Sequence, residues 1–379
     1  MAKLVLTAEN FAFGPIGKLL DVVDLLKEQG HELTFAGFGT SLQLAKNYPF
    51  DTIHEIDTDN PESDSKLEGI ISKADMLIST MDIPSVKIAQ QIGKLTTWID
   101  CLFWFWDSIP DEVLNVDLYV TERLMNDKAN EQKYASKIKN LFKVGPIIGR
   151  MSGGSRKNQV LISYGGGEAP YWYKEGRDTN YPSVMTNLLL KSIDWSKFDK
   201  VIVTTSERIA KELSDKFPDT PFEFKILAHD KFLDELSHSE VILITPGLVT
   251  AELAFESGTP TIFLPPSNNS QYLQLDQFIE QDLAPAHTHL SNFMPRLELK
   301  GVPLCDSTQM VLKQLKEFEQ SPETQKRVGG RLNKLIGNRD NWSNEFVANG
   351  KRFIDSLGGN GAYATADKIK HILTANGYH

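Results

Sequence analysis

Short apolar runs alternate with helical stretches from the first residues onward. KLVLTA (3–8) reads as a strand by its aliphatic and β-branched content. The Gly/Pro-containing loop ENFAFGPIG leads into KLLDVVDLLKEQG, where Leu19, Leu20, Val22, Val23, Leu25 and Leu26 form a broad apolar helical face. Gly30 stands where a helix C-cap is expected. HELTFAGFG, ADMLIST and LTTWIDCLFW read as further strands, with the helical IPSVKIAQQIG between the last two. DLYVTE is another short strand, followed by a long polar helix around LMNDKANEQKYASKIKN. Strands that alternate with helices predict a parallel sheet covered on both faces.

The pattern breaks at KVGPIIGRMSGGSRKNQ, where two Gly-rich clusters, a Pro and basic residues separate two apolar runs, so a domain boundary is expected near residues 145–157. It restarts with VLISYGGGE (160–168), DKVIVTTS, the helix ERIAKELSDKF and FEFKILAH. The stretch SEVILITPGLVTAELAFESGTPTIFLPPSNNSQYLQLDQF (239–278) then supplies two strands with a helix between them, and the tail from about 306 is helical. The prediction is an α/β chain of two Rossmann-like domains, 1–150 and 157–340, facing a central cleft. Ligands of open α/β sheets bind at the carboxyl ends of the strands.

Composition narrows the function. A chain of 379 residues has room for two domains. With 40 basic and 50 acidic residues the net charge is −10, and no long basic run argues for nucleic acid or an anionic membrane as main partner. Cys101 and Cys305 form neither a disulfide framework nor a CxxC site. MAKLVLTAENFAFG reads as a first strand and not a signal peptide, and no apolar run approaches the roughly 20 residues of a membrane helix, so a cytoplasmic protein without an integral membrane segment is expected.

Chemistry concentrates at the predicted strand ends. VILIT ends at Thr245, Gly247 permits a tight turn, and a short helix from Val249 points free N–H groups and its positive end outward, a seat for phosphate. Glu252, about one turn in, is able to accept hydrogen bonds from vicinal hydroxyls, and the loop SNNSQYLQLDQ is rich in amides. An ordinary βαβ unit with a solvated loop fits the same residues. In SYGGGEAPYWY, Gly166 and Gly167 expose N–H groups to a diphosphate, or form a bare tight turn, with Glu168, Tyr171, Trp172 and Tyr173 beside them. TTWIDCLFWFWDSIP puts Asp100 at a strand end beside Leu102, Phe103, Trp104, Phe105 and Trp106. A carboxylate next to apolar rings has a raised pKa, which suits a general base; alternatively the rings pack the domain and Asp100 caps the next turn. Glu9 and Asp107 are the second candidates for the base. No HExxH, Walker A or Gly-x-Ser-x-Gly pattern is present.

Gly247, Thr250 and Glu252, then Gly258, Pro260 and Pro265, then Gln271 and Gln274 resemble the donor-nucleotide signature of GT-B glycosyltransferases. The likeness is to the branch of the peptidoglycan N-acetylglucosamine transferase and the antibiotic and plant glycosyltransferases. The chain departs from that pattern in three places. Thr250 and Glu252 stand one residue closer than usual, Gln274 replaces an asparagine, and the first loop lacks the catalytic histidine of many relatives, His31 being the nearest. The resemblance implies an acceptor domain at 1–150, a donor domain at 157–340 and C-terminal helices at 341–379 crossing back onto the first domain. It implies transfer of a sugar from a UDP- or TDP-sugar to a hydroxyl- or amine-bearing small molecule or glycan, with inversion, no metal and no cofactor beyond the nucleotide sugar. His229 and Phe232 would meet the base, Gly166, Gly167, Glu168 and Val249 the diphosphate side, Glu252 the ribose, and Gln271 and Gln274 the sugar. Phe13, Gly14, Gly17, Phe103 and Trp104 would meet the acceptor. A nucleotide-sugar hydrolase or epimerase, or a non-catalytic nucleotide-binding relative, are the alternatives.

Overall fold

The computed structural model describes residues 1–124, 127–165, 167–168 and 180–378. The chain divides into two compact units, Met1–Arg150 with Ile354–His379, and Met151–Phe353. The first carries β1 (Lys3–Ala8), β2 (Glu32–Gly37), β3 (Thr52–Glu55), β4 (Met76–Thr80), β5 (Leu95–Asp100), β6 (Leu118–Glu122) and β7 (Leu141–Val144). They form one sheet in the order β3-β2-β1-β4-β5-β6-β7. The second carries β8 (Lys157–Ser163), β9 (Lys200–Thr204), β10 (Phe222–Lys225), β11 (Ser239–Ile244) and β12 (Thr261–Phe263), in the order β10-β9-β8-β11-β12.

Every pairing in both sheets is parallel. Helices cover such sheets, which explains why β4 and β6 are buried along their whole length, including the polar residues Ser79, Thr80, Thr121 and Glu122 at their carboxyl ends. Strand order reverses once in each sheet. In the first unit the chain leaves β1 toward β2 and β3, then returns to β4 on the other side of β1. In the second it leaves β8 toward β9 and β10, then returns to β11. At such a switch point the two flanking loops diverge and leave a crevice beyond the carboxyl ends of the central strands.

Two elements differ from the sequence pattern. The polar helix expected after β6 shrinks to Lys128–Tyr134. Its polar side chains brace neighbours instead: Asn130 Nδ2 donates to the carbonyls of Phe103 at 2.6 Å and Trp106 at 2.9 Å. In the tail, the helix Ser343–Ser356 belongs to the second unit as far as Phe353, because Phe346 and Phe353 stack on Phe255 with centroids 5.4 and 5.8 Å apart. The first unit therefore takes the chain from Ile354 and not from residue 341. There the helix Gly361–Ala375 packs on the helix Gly14–Glu28. The backbones of 145 and 359 meet so closely that a Cβ on Gly145 would fall 1.9 Å from the Gly359 carbonyl oxygen. No helix among the described residues is long and apolar enough to cross a membrane.

Candidate functional site

The crevice of the second unit is built from backbone. After β8 the chain turns through Gly165 and Gly167, both in the left-handed region at φ +63° and +62°. Gly165 N–H donates to Ser163 Oγ at 3.3 Å, and a Cβ on Gly167 would lie 2.7 Å from Ile209 Cδ1. Glu168 forms an ion pair with Arg208 at 2.6 Å, so its carboxylate braces the loop against the helix Glu207–Lys216. Gly166, Tyr171, Trp172 and Tyr173 lie outside the described residues.

After β11, Thr245 N–H donates to Ser163 O at 3.1 Å, which ties the two switch strands together. The helix Leu248–Ser257 begins at Gly247 with no side chain capping it. A helix leaves its first N–H groups without intrahelical acceptors, and the residue at its N-cap, a glycine, offers them no side chain. Gly247 has an extended backbone, and the nearest atom to a Cβ there would be Thr245 O at 3.9 Å. Neither strain nor crowding inside the protein requires glycine, so its effect is to leave the helix start open. Val249 and Thr250, on the first turn, are half-buried. Glu252 has 0% exposure: its carboxyl is enclosed within the unit rather than displayed on its surface.

The remaining sequence candidates of this unit separate into two groups. Gln271 Oε1 accepts from Ser267 N–H and Oγ–H, both at 2.8 Å, and so braces the loop that leads into the helix Asn269–Glu280. Gln274, on the same helix, is buried, and its Oε1 has no hydrogen-bond partner among the described residues. His229 is no loop residue: it is the buried first residue of the helix His229–His238, and Phe232 follows half-buried on its first turn.

The crevice of the first unit is built from carboxyls. Glu9 follows β1, and its N–H donates to Thr80 O at the end of β4 at 2.9 Å. Its carboxyl is half-buried, and burial, with the charges of Asp82 and Asp59 behind it, pushes the pKa up to about 8. Asp82 follows β4 as the residue before the helix Ile83–Gln91. It is 2% exposed, its Oδ2 has no hydrogen-bond partner among the described residues, and burial first of all raises its pKa to about 6. Sequence reasoning missed Asp82. The signal was there in Thr-Met-Asp-Ile-Pro, an acidic residue and a proline where a strand gives way to a helix.

Asp100 ends β5, one strand away from the switch point. Burial raises its pKa to about 6 against the hydrogen bonds it receives. Its oxygens accept from Leu102 N–H at 2.7 Å, from the Trp106 indole at 3.1 and 3.0 Å, and from the Tyr119 hydroxyl. The carboxyl thus caps the following turn and holds two rings. Phe103 sinks into the core with its ring edge-on to Tyr119 at 6.1 Å, whereas Trp104 stays half-buried against Phe105 at 5.3 Å. Phe13 and Gly14 are half-buried where the helix Gly14–Glu28 begins, Gly17 is buried within it, and Asp107 is exposed. Among the described residues no three His, Cys, Asp or Glu side chains gather to hold a metal ion.

No protein-family model matches the sequence, and no curated protein sequence matches it. Solved structures do match by shape along nearly the whole chain. The spinosyn forosaminyltransferase SpnP is 12% identical with a TM-score of 0.56, covering 98% of this chain and 99% of its own. The spinosyn rhamnosyltransferase SpnG complexed with thymidine diphosphate is 13% identical at 0.53, covering 98% and 100%. The S. aureus MnaA–UDP co-structure is 13% identical at 0.51, covering 92% and 98%. Identity this low carries the architecture and not the activity. With two parallel α/β units and this likeness to SpnP and SpnG, the chain has a GT-B fold.

Proposed function

We propose that the protein is a glycosyltransferase that moves a sugar from a UDP- or TDP-sugar to a hydroxyl or amine of a small-molecule or glycan acceptor. The observation that carries the reading is the open helix start at Gly247 beside the glycine turn after β8, at the switch point of the second unit. That geometry suits a diphosphate. Spinosyn glycosyltransferases of the same fold, one of them complexed with thymidine diphosphate, support it.

In this reading the second unit holds the donor. The N–H groups of Gly167, Val249 and Thr250 take the diphosphate, His229 and Phe232 serve the nucleoside side, and Gln271 and Gln274 the sugar, while Glu252, enclosed within the unit, loses the direct ribose contact that the resemblance implied. The first unit holds the acceptor, with Phe13 and Trp104 as apolar walls. Glu9 is the better base. It sits at the switch point and receives no hydrogen bond to its carboxyl among the described residues, whereas Asp100 would have to give up Tyr119 and Trp106. The acceptor O–H proton passes to Glu9 and its oxygen forms the bond to the anomeric carbon. The bond from that carbon to the diphosphate oxygen breaks on the opposite side, which inverts the centre. The charge gathering on the leaving diphosphate falls on the helix amides, so neither a metal nor a further cofactor enters the scheme.

Thermal shift with thymidine diphosphate and UDP tests the donor half. A nucleotide at 100 times its dissociation constant should add about 2.7 kcal/mol of stability. Release of nucleoside diphosphate from a TDP- or UDP-sugar should then depend on an added acceptor. If neither nucleotide shifts the melting point, the donor assignment fails. If the donor is consumed at full rate with no acceptor, hydrolysis or epimerisation replaces transfer.

A further inference from the structure

The first unit places two carboxyls beside each other's strands at its switch point, and among the described residues neither receives a cation. The charges that weigh on Glu9 are those of Asp82 and Asp59, and Asp59 also weighs on Asp82. The same unit treats another buried carboxyl, Glu122, differently. Glu122 receives the fully buried Lys18, with Nζ 2.6 Å from Oε1, and Lys18 also donates to Ile147 O at 2.8 Å. A buried carboxylate left without a counter-charge is costly, and the usual resolution is a partner cation or a proton. At Glu122 the chain provides that partner. At Glu9 and Asp82 the place for it faces the ligand end of the sheet.

A second observation points to a ligand there. Asp82 is almost fully buried, yet its Oδ2 accepts no hydrogen bond among the described residues. The hydroxyl of Thr80, whose carbonyl receives the Glu9 N–H, is fully buried and equally without a partner among the described residues. Acceptor atoms of this kind, at the switch-point crevice of a parallel sheet, match a compact group rich in N–H donors.

We propose that Asp82 and Glu9 read a protonated amine on the acceptor, so that the acceptor class is a small polar amine such as an amino sugar or aminocyclitol. The inference rests on the reading of the first unit as the acceptor unit. The ammonium sits on Asp82, and the hydroxyl to be glycosylated is presented to Glu9. A positive charge there also favours the ionised form of Glu9. Binding therefore releases the Glu9 proton to solvent, and the carboxylate is then ready to take the hydroxyl proton. An acceptor that lacks the amine leaves the base largely protonated at neutral pH.

Isothermal titration of matched probes tests this: glucosamine against glucose, and 2-deoxystreptamine against inositol, each also titrated into Asp82→Asn and into Glu62→Gln as an exposed-charge control. Asparagine is as good a residue before a helix as aspartate, and a single cooperative melting transition at or above that of the parent checks the fold. The expected result is at least about tenfold tighter binding of an amine than of its hydroxyl partner, with proton release seen in buffers of different ionisation heat. Asp82→Asn should erase the preference and Glu62→Gln should keep it. The proposal is overturned if no amine binds, if the members of each pair bind alike, if the preference survives Asp82→Asn, or if Mg²⁺ alone takes the seat and excludes the amine. Efficient glycosylation of an amine-free acceptor would sink this inference and leave the transferase reading standing. Absence of nucleotide binding would sink the transferase reading itself.

Discussion

The helix that follows the switch strand begins at Gly247 in one unit and at Asp82 in the other. The two residues occupy the same place in the topology, each after the strand that pairs with the first strand of its sheet. Their chemistry is opposite. Gly247 leaves a helix start open, with its amides and positive end available to an anion. Asp82 fills the corresponding place with a carboxyl, and Glu9 adds a second across the switch point. One fold has thus been turned into an anion seat and an acid pocket by what stands at a single position. On the proposed reading the contrast would divide the labour of sugar transfer, with the diphosphate taken by the second unit and the proton, with whatever carries it, by the first.

Four changes break or sharpen that contrast, taken in decreasing order of effect. Glu9→Gln should lower the transfer rate about 10²–10⁴-fold while nucleotide affinity stays the same. In the unmodified protein kcat/KM should climb with pH through about 8, because in the free enzyme the base is ready only once Glu9 has lost its proton. A pH–rate profile that is flat between 6 and 9 (a range set by that value) would remove Glu9 from the role. Gly247→Asp should copy the first unit into the second. It adds a like charge at the diphosphate seat without steric conflict, and titration should show an affinity loss on the order of 100-fold, about 2.7 kcal/mol.

Asp82→Asn should raise the melting temperature at pH 8. The folded-state pKa lies above its ordinary value, so ionisation costs stability as pH climbs from about 3.8 to about 6 and stays costly beyond. Removing that charge should return on the order of 2–3 kcal/mol at pH 8 and little at pH 4. Equal effects at both pH values would show that the fold does not raise the pKa of this carboxyl. Asp100→Asn should have the smallest functional effect. It disturbs the bonds to Tyr119 and Trp106 and costs about 1 kcal/mol of stability, with the transfer rate within a few fold of the parent. A loss of rate as large as that from Glu9→Gln would return the base to Asp100.

The strands and helices were largely legible because their signals are local. The apolar face of Leu19, Leu20, Val22 and Val23 and the unbroken runs of β4 and β11 depend only on near neighbours. The switch points were not legible, because strand order is a long-range property. Nothing local says that β4 returns beside β1, so nothing local brings Asp82 to Glu9. The same gap explains Asp100, which has the strand-end position and apolar neighbours of a site residue but lies one strand off. Phe103 and Trp104 are adjacent in sequence and part in the fold, one to the core and one to the half-buried rim, since a turn and not a period decides which way each points. The Gly-Leu-Val-Thr helix start was legible because a glycine before an uncapped helix carries its consequence with it.

A crystal structure of the protein with thymidine diphosphate tests the division of labour most directly. The account predicts the diphosphate oxygens on the amides of Val249 and Thr250 and on the turn at Gly167, with the crevice between Glu9 and Asp82 free of nucleotide. A diphosphate seated in the first unit, or a nucleotide held without contact to the helix that begins at Gly247, would contradict it.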